Sequence, residues 1–201
     1  MGMCTFCCCS IILVALVFAL GVTGFVSWII AGFVRVSHLK RINYQVTDAS
    51  LLQFNLTNNN TTLEYNLALN ITLQNPNDKI GLHFDRIKAG ASFMKQTLNN
   101  VTLSSSSYLG HKKTVVLPAL FKGQRPVALG ADEVSKFKNA GDFDILLNLD
   151  VKYWVKFLAS KVKIKQPHIA CSLKLPLNNG KSAESFKVTQ CKAQSSDKFN
   201  N

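Results

Sequence analysis

Six cysteines are the residues of this sequence that could most readily do chemistry, and they fall into two groups. The first is a cluster near the N-terminus, formed by Cys4, Cys7, Cys8 and Cys9. Thiols beside a membrane segment are common sites of reversible palmitoylation when they face the cytosol, and we expect that modification here. Zinc binding is the alternative, but four ligands crowded together without a second Cys or His pair make a poor tetrahedral site.

Cys171 and Cys191 form the second group and are the only thiols of the C-terminal region. A disulfide between them would close a loop of about 20 residues and would stabilise the fold by roughly 3 kcal/mol. Two buried free thiols are the alternative, because cysteine is often buried without bonding. The residue types alone leave both interpretations open.

Other residues that often build catalytic or metal sites form no recognisable motif. The sequence contains no His-Glu-x-x-His, no Gly-x-Ser-x-Gly and no phosphate-binding glycine loop. Its four histidines are isolated from one another: His38, His83, His111 and His168. Asp142 and Asp144 could be an acidic metal-binding pair, but they open a predicted strand, where acidic residues commonly form turns. We therefore expect no enzymatic activity, no cofactor and no bound metal.

Five Asn-x-Ser/Thr sequons suggest N-glycosylation. They begin at Asn55, Asn59, Asn60, Asn70 and Asn100. The content of Asn, Ser and Thr predicts about two sequons by chance, so the excess favours an exported domain without establishing it.

An uncharged apolar segment, residues 11–34, follows the cysteine cluster. As a helix it would span about 36 Å, against roughly 30 Å of hydrocarbon, so we expect one transmembrane helix after a short tail of residues 1–10. A cleaved signal peptide is the alternative, but the apolar run is too long and no basic residue precedes it. Small residues recur at every fourth position and would allow self-association of the helix, and the alternative is that membrane helices are in general rich in small residues. The residues at these positions are Ala15, Ala19, Thr23, Ser27 and Ala31.

The signals for orientation conflict. Arg35, Lys40 and Arg41 follow the helix, and basic flanks usually stay in the cytosol. The sequons and the second cysteine group instead favour an oxidising compartment. The residues alone do not decide on which side of the membrane the domain lies.

All of the net charge of +12 lies after residue 34, so the C-terminal region is strongly basic. Such a charge favours an acidic partner, for example anionic lipid head groups, acidic polysaccharide or nucleic acid. Several lysines are scattered through strand-like segments: Lys152, Lys156, Lys161, Lys163 and Lys165. They lack the interleaved aromatic residues expected of a nucleic-acid platform, so we expect no nucleic-acid binding. A basic face that is simply solvated is the alternative to binding an acidic partner.

Apolar residues alternate with polar ones through most of this region, which predicts β-strands with one buried face. The alternation is clearest at 63–73 and 143–153, and weaker strands fit 43–56, 80–94, 98–103, 112–118, 161–175 and 185–191. One helix is predicted at 131–139, and Gly123 and Gln124 are expected in a turn before it. Many short strands with a lone helix indicate a two-sheet sandwich over residues 46–192. Residues 35–45 would form a basic juxtamembrane segment, and 193–201 a disordered tail.

Five segments occur together in an order that resembles one plant family. They are VTDASLLQFNL (46–56), LNITLQNPNDKIGLHFD (69–85), LPALFKGQ (117–124), PHIACSLKLPL (167–177) and FKVTQC (186–191). The sequence resembles harpin-induced-like and non-race-specific disease-resistance-like proteins, which carry a late-embryogenesis-abundant group 2 domain, also called the water-stress and hypersensitive-response domain. Three positions depart from the family pattern: Phe84 where Tyr is frequent, Lys95 where Gly is usual, and Gln190 where Lys is frequent.

The resemblance implies a mainly β fold: a seven-stranded immunoglobulin/fibronectin-III-like antiparallel β-sandwich with one short helix, preceded by a single transmembrane helix. It also implies a disulfide between Cys171 and Cys191, and a signature turn formed by Asn75, Pro76 and Asn77. It further implies a plasma-membrane protein with a cytosolic N-terminus and a glycosylated extracellular domain, active in defence and stress responses.

Two functions are compatible with these features. The first is a non-enzymatic surface protein whose basic domain binds cell-wall polymers or membrane-protein partners. The alternative is a lipid-binding or membrane-protecting module, which would require a sizeable apolar pocket between the sheets.

Overall fold

The computed structural model describes residues 3–37, 39–157, 160–164, 168–177 and 186–194. The chain forms two compact units, one containing the N-terminal helix and one beginning at Lys40. Helix α1 runs over Met3–Ser37. Its stretch Ile12–Val34 has a mean hydropathy of 2.4 and is not buried against the rest of the chain. It is long and apolar enough to cross a membrane, as expected for residues 11–34, and a signal sequence would meet the same criterion.

The second unit is built mainly from strands. They are β1 (Asn43–Thr57), β2 (Thr62–Gln74), β3 (Leu82–Phe93), β4 (Gln96–Ser104), β5 (Ser107–Leu109), β6 (Thr114–Pro126), β7 (Asp142–Phe157), β8 (Ser160–Ile164), β9 (His168–Pro176), β10 (Thr189–Gln190) and β11 (Lys192–Gln194), with helix α2 (Ala131–Lys138) between β6 and β7. Seven strands have nine residues or more, and the four others in the described residues are shorter. The predicted mainly β fold with one short helix in the domain is confirmed.

The strands form two antiparallel sheets. One has the order β10-β1-β2-β6, and the other has the order β11-β9-β7-β3-β4, with β5 added to β3 and β8 added to β7. Alternate residues of each strand point between the sheets, so that apolar side chains from both fill the core. Fully buried members include Leu51, Phe54, Leu67, Ile71, Phe121, Leu147 and Leu173.

The expectation of a turn at Gly123 and Gln124 is wrong, because both residues lie within strand β6. The ring of Tyr65 lies across from Gly123, where an added Cβ would be 3.1 Å from its hydroxyl oxygen. Gln124 donates a hydrogen bond to Glu64 at 2.7 Å. Cross-strand contacts of this kind stabilise strand pairing at a residue whose own conformational preference is for a turn.

The end of the chain also differs from the prediction. The expected strand 161–175 is two strands, β8 and β9, and the expected strand 185–191 is β10 followed by β11. Strand β10 pairs with β1 and strand β11 pairs with β9, so the chain passes from one sheet to the other at Cys191. Of the expected disordered tail, Ala193 and Gln194 belong to β11, and residues 195–201 lie outside the described residues. Helix α2 lies within one residue of its predicted end.

Two buried tyrosines couple folding to alkaline pH. Burial raises the pKa of Tyr44, as does neighbouring Tyr153, and burial also raises the pKa of Tyr65. An unfolded tyrosine loses its proton near pH 10, before the folded one does, so the unfolded state gains relative stability above about pH 10. We expect the free energy of unfolding, measured in urea between neutral pH and about pH 11, to fall with rising pH. The decline should be shallower in Tyr44→Phe, and equal slopes in the two proteins would contradict the assignment.

Candidate functional site

The disulfide between Cys171 and Cys191 is formed. Cys171 lies on β9 and is fully buried, whereas Cys191 lies between β10 and β11. The backbone N–H of Cys191 donates to the Tyr44 carbonyl oxygen at 3.0 Å. The bond therefore holds the segment that crosses between the sheets, which is a structural role.

The predicted signature turn is a buried hydrogen-bond network. The Asn75 Nδ2 group donates to the Ile80 and Gly110 carbonyl oxygens at 2.8 and 3.0 Å. Its Oδ1 accepts from the backbone and side-chain nitrogens of Asn77 at 3.0 and 2.9 Å. Asn77 Oδ1 in turn accepts from the Lys40 N–H at 2.8 Å. The two side chains tie three distant segments together, so the turn holds the fold rather than a ligand.

The five sequons lie on the surface at three places. Asn55 and Asn70 point outward from the four-stranded sheet. Asn59 and Asn60 lie in the turn between β1 and β2, and Asn100 lies on β4. Each is at least partly exposed, so each could carry a glycan, and glycosylation stays a prediction. The backbone of the cysteine cluster, Cys4 to Cys9, is helical and belongs to α1, and its acylation also stays a prediction.

The outer face of the seven-stranded sheet concentrates basic side chains. Arg86 on β3 lies directly opposite Lys152 on β7, and Lys88 lies opposite Asp150. Together with the outward residues of β8, these strands form what we call the basic face: Asp85, Arg86, Lys88, Asp150, Lys152, Lys156, Lys161 and Lys163. Six of its members are basic and two are acidic, and two further aspartates, Asp142 and Asp144, lie farther along the same side of β7. On the other sheet, the exposed or half-buried charged groups of β1, β2 and β6 are Asp48, Glu64, Lys122 and Arg125, two acidic and two basic.

Aromatic rings border the basic face. The His83 and Trp154 rings are stacked, with centroids 4.1 Å apart and planes inclined by 6°. Tyr108 is next to His83 at 4.7 Å, and Lys161 Nζ lies 4.6 Å from the centre of the Trp154 ring. The Trp154 indole N–H donates to Asp85 at 3.0 Å. The expectation that the lysines lack interleaved aromatic residues is wrong, because strand pairing brings these rings among them. The signal in the sequence was Trp154 standing two residues from both Lys152 and Lys156.

A groove of about 290 Å³ continues the basic face along β3 and β7. It is centred on Gly90, which pairs with Asn100 on one side and Asn148 on the other. The Asn100 carboxamide occupies the space that a side chain at position 90 would need. Polar and charged residues line most of the groove, among them Lys88, Ser92, Thr97, Asn148, Asp150 and His168. Sequence reasoning missed the groove, because its residues come from four strands.

Comparison with known proteins gives no matching family model. The chain is 35% identical over 172 residues to NDR1/HIN1-like protein 10 of Arabidopsis thaliana, which covers 83% of this chain and 72% of that protein. It is 33% identical over 184 residues to NDR1/HIN1-like protein 3 of the same plant, covering 90% of this chain and 77% of that protein. The chain belongs to the NDR1/HIN1-like family. The resemblance inferred from the five ordered segments is confirmed.

Solved structures show weaker similarity to this NDR1/HIN1-like chain. A putative late embryogenesis abundant (LEA) protein matches with a TM-score of 0.36 and 13% identity, over 82% of this chain and 87% of that chain. A second Arabidopsis thaliana protein matches with a TM-score of 0.38 and 15% identity, over 70% and 86% of the two chains. These scores are low, so the family assignment rests on the sequence relatives.

The three departures from the NDR1/HIN1-like pattern have different structural settings. Lys95 follows Met94 in the tight turn between β3 and β4, where both residues have positive φ angles, 64° and 46°. Glycine adopts such angles without strain, so lysine is the less favourable residue there. Phe84 is buried in the core, and Gln190 donates to Gln45 at 3.0 Å across β10 and β1. None of the three belongs to the basic face or to the groove.

Proposed function

We propose that this NDR1/HIN1-like chain is a non-enzymatic, single-pass protein of the plant plasma membrane, with a cytosolic N-terminus and a sandwich that faces the cell wall. We propose that it acts in defence and stress responses by binding wall polymers or the extracellular parts of partner proteins. Family membership supports the biological setting. The basic face supports the binding part of the proposal, because positive charges concentrated on one face attract acidic partners and speed association.

The anchoring part of the proposal is supported by α1, whose stretch Ile12–Val34 is long enough to span a bilayer. Acylation of the nearby cysteine cluster would strengthen such an anchor, because each acyl chain adds buried CH₂ groups. The small residues from Ala15 to Ala31 would also allow two copies of the helix to pack closely.

Orientation can be tested with the full chain expressed in plant cells. We expect enzymatic removal of N-glycans to increase its mobility on a denaturing gel. The shift should be smaller in Asn70→Gln and in Asn100→Gln, because each variant lacks one sequon. Resistance of the protein to alkaline carbonate extraction would distinguish an uncleaved anchor from a removed signal sequence.

The same experiment can contradict the proposal. A protein with no glycan shift and with protease-protected C-terminal epitopes in intact cells would place the sandwich in the cytosol, as the basic flank alone predicts. Release into the carbonate supernatant would exclude the membrane anchor.

The lipid-binding alternative is less well supported. It requires an apolar pocket between the sheets, whereas Leu67, Phe121 and Leu147 fill the described core there. A cavity of about 410 Å³ lies beside α2, and Asn55 and Lys138 line it together with phenylalanine rings. This mixed lining suits an acyl chain poorly, so surface binding is the better hypothesis.

A further inference from the structure

We propose that the basic face and the adjoining groove form one binding track for a linear acidic polysaccharide, a chain of uronate sugars. This inference rests on the proposed function and names its ligand class and its site. The track follows β3 from His83 to Ser92 and the paired segment of β7. Nine residue steps at about 3.3 Å each give roughly 30 Å, which accommodates several sugar rings in a row.

The positive charges in the middle of the track favour the binding of an anion. Arg86 and Lys152 lie directly opposite each other on adjacent strands, and like charges in that position destabilise a sheet. Within the described residues neither makes an ion pair. A carboxylate placed between them would accept hydrogen bonds from both and would remove the repulsion.

The groove beyond the cations supplies groups that recognise hydroxyls. Asn148 and Asn100 each offer an amide donor and an acceptor, and Ser92 and Asp150 add a hydroxyl and a carboxylate. Because position 90 is glycine, the Asn100 carboxamide can lie over the backbone there, which places its polar atoms beside Asn148 in the groove. The track therefore has a part that recognises charge followed by a part that recognises hydroxyls, and a uronate chain carries both kinds of group.

Aromatic rings lie at the His83 end of the track, and one of them is available to a ligand. One face of the Trp154 ring is covered by His83, and Lys161 lies close to the same ring, so Trp154 mainly positions its neighbours. Tyr108 is 60% exposed and is the ring available for stacking against a sugar.

A uronate chain fits these features better than other acidic partners. An anionic bilayer would bind through the lysines alone, and the amide-lined groove would have no role in that binding. A nucleic acid would favour several free aromatic faces, whereas His83 and Trp154 here stack on each other. The linear arrangement and the mixed chemistry thus favour a polysaccharide.

The proposal is tested by the binding of polygalacturonate to the full chain in a neutral detergent, made in a host that adds no N-glycans, so that Asn100 keeps its carboxamide, and with a calcium chelator present. The double variant Arg86→Gln with Lys152→Gln should bind at least about tenfold more weakly at about 0.15 M salt, and the salt dependence should be shallower. The matched control is Lys122→Gln with Lys138→Gln, which removes the same charge elsewhere on the sandwich. It should change affinity by less than about twofold.

Further arms of the experiment separate the possible failures. Methyl-esterified polygalacturonate, which keeps the rings but lacks the charges, should bind much more weakly, and equal binding would overturn the acidic ligand class. Equal losses in the two double variants would overturn the site. Lys88→Gln, tested with a melting curve, provides a second variant if the first one fails to fold.

Two other probes distinguish this inference from the proposed function. Isolated cell walls that retain the wild-type protein, together with no binding to polygalacturonate, would refute the uronate track and leave the proposed function standing. No retention on walls would count against both. Binding to vesicles with anionic lipid but not to polygalacturonate would identify a membrane surface as the partner and overturn the track.

Discussion

Replacing Asn75 with alanine is expected to lower the free energy of unfolding by about 3 to 5 kcal/mol. The change removes four hydrogen bonds and leaves the Ile80 and Gly110 carbonyl groups, which the Asn75 amide bonds, without that partner. Each buried polar group left unpaired costs about 1 to 3 kcal/mol. Urea unfolding followed by circular dichroism would measure the loss.

A matched control tests whether burial is the reason for this effect. Asn43 donates to Gln74 at 3.3 Å on the exposed surface, so Asn43→Ala should cost less than about 0.5 kcal/mol. Asn75→Asp keeps the side-chain volume but sets a carboxylate oxygen against two carbonyl oxygens. It should therefore be nearly as damaging at neutral pH and less so in acid, where the protonated carboxyl can donate again. Equal effects of Asn43→Ala and Asn75→Ala would contradict the network interpretation.

Loss of the disulfide is expected to have the second large effect. Replacing both Cys171 and Cys191 with alanine should lower the free energy of unfolding by roughly 3 kcal/mol, because the unfolded chain is no longer closed into a loop. Cys171 is fully buried, so alanine is preferable to serine there. Urea unfolding of the purified variant would measure the loss.

Reduction of the wild-type protein is the control for the disulfide. A reducing agent should lower the stability of the wild type by a similar amount and should leave the double variant unchanged. A reducing agent that destabilised both proteins equally would show that the effect lies elsewhere.

Much of the fold could be predicted from local patterns, because a strand with one buried face has a period of two residues. The strands around 63–73 and 143–153 appear where the alternation is clearest. The extent of β6 could not be predicted, since Gly123 stays in the strand through its contact with Tyr65 on the neighbouring strand. Local residue preferences favoured a turn, and a cross-strand contact overruled them.

The candidate site was harder to predict than the fold. The sequence shows the excess of basic residues and the alternation that puts Lys152, Trp154 and Lys156 on one face. It does not show which residues of β3 lie opposite them, because the bulge near Asp85 shifts the register between the strands. His83 and Trp154 thus meet only through the pairing of β3 with β7, which are far apart in the sequence. The Asn75 network likewise depends on Lys40 and Gly110, which are far away in the sequence.

The position of Asn100 beside Gly90 has a consequence for how binding could differ between copies of the same chain. Asn100 is both a sequon and a wall of the groove. A carbohydrate attached to its amide nitrogen would be tethered at the rim, at an effective concentration in about the millimolar range. Such a tethered sugar would obstruct the groove to a free polysaccharide by its bulk. Glycoforms with and without it would then have different affinities, and the cell could set the adhesiveness of this surface during secretion rather than by changing the sequence.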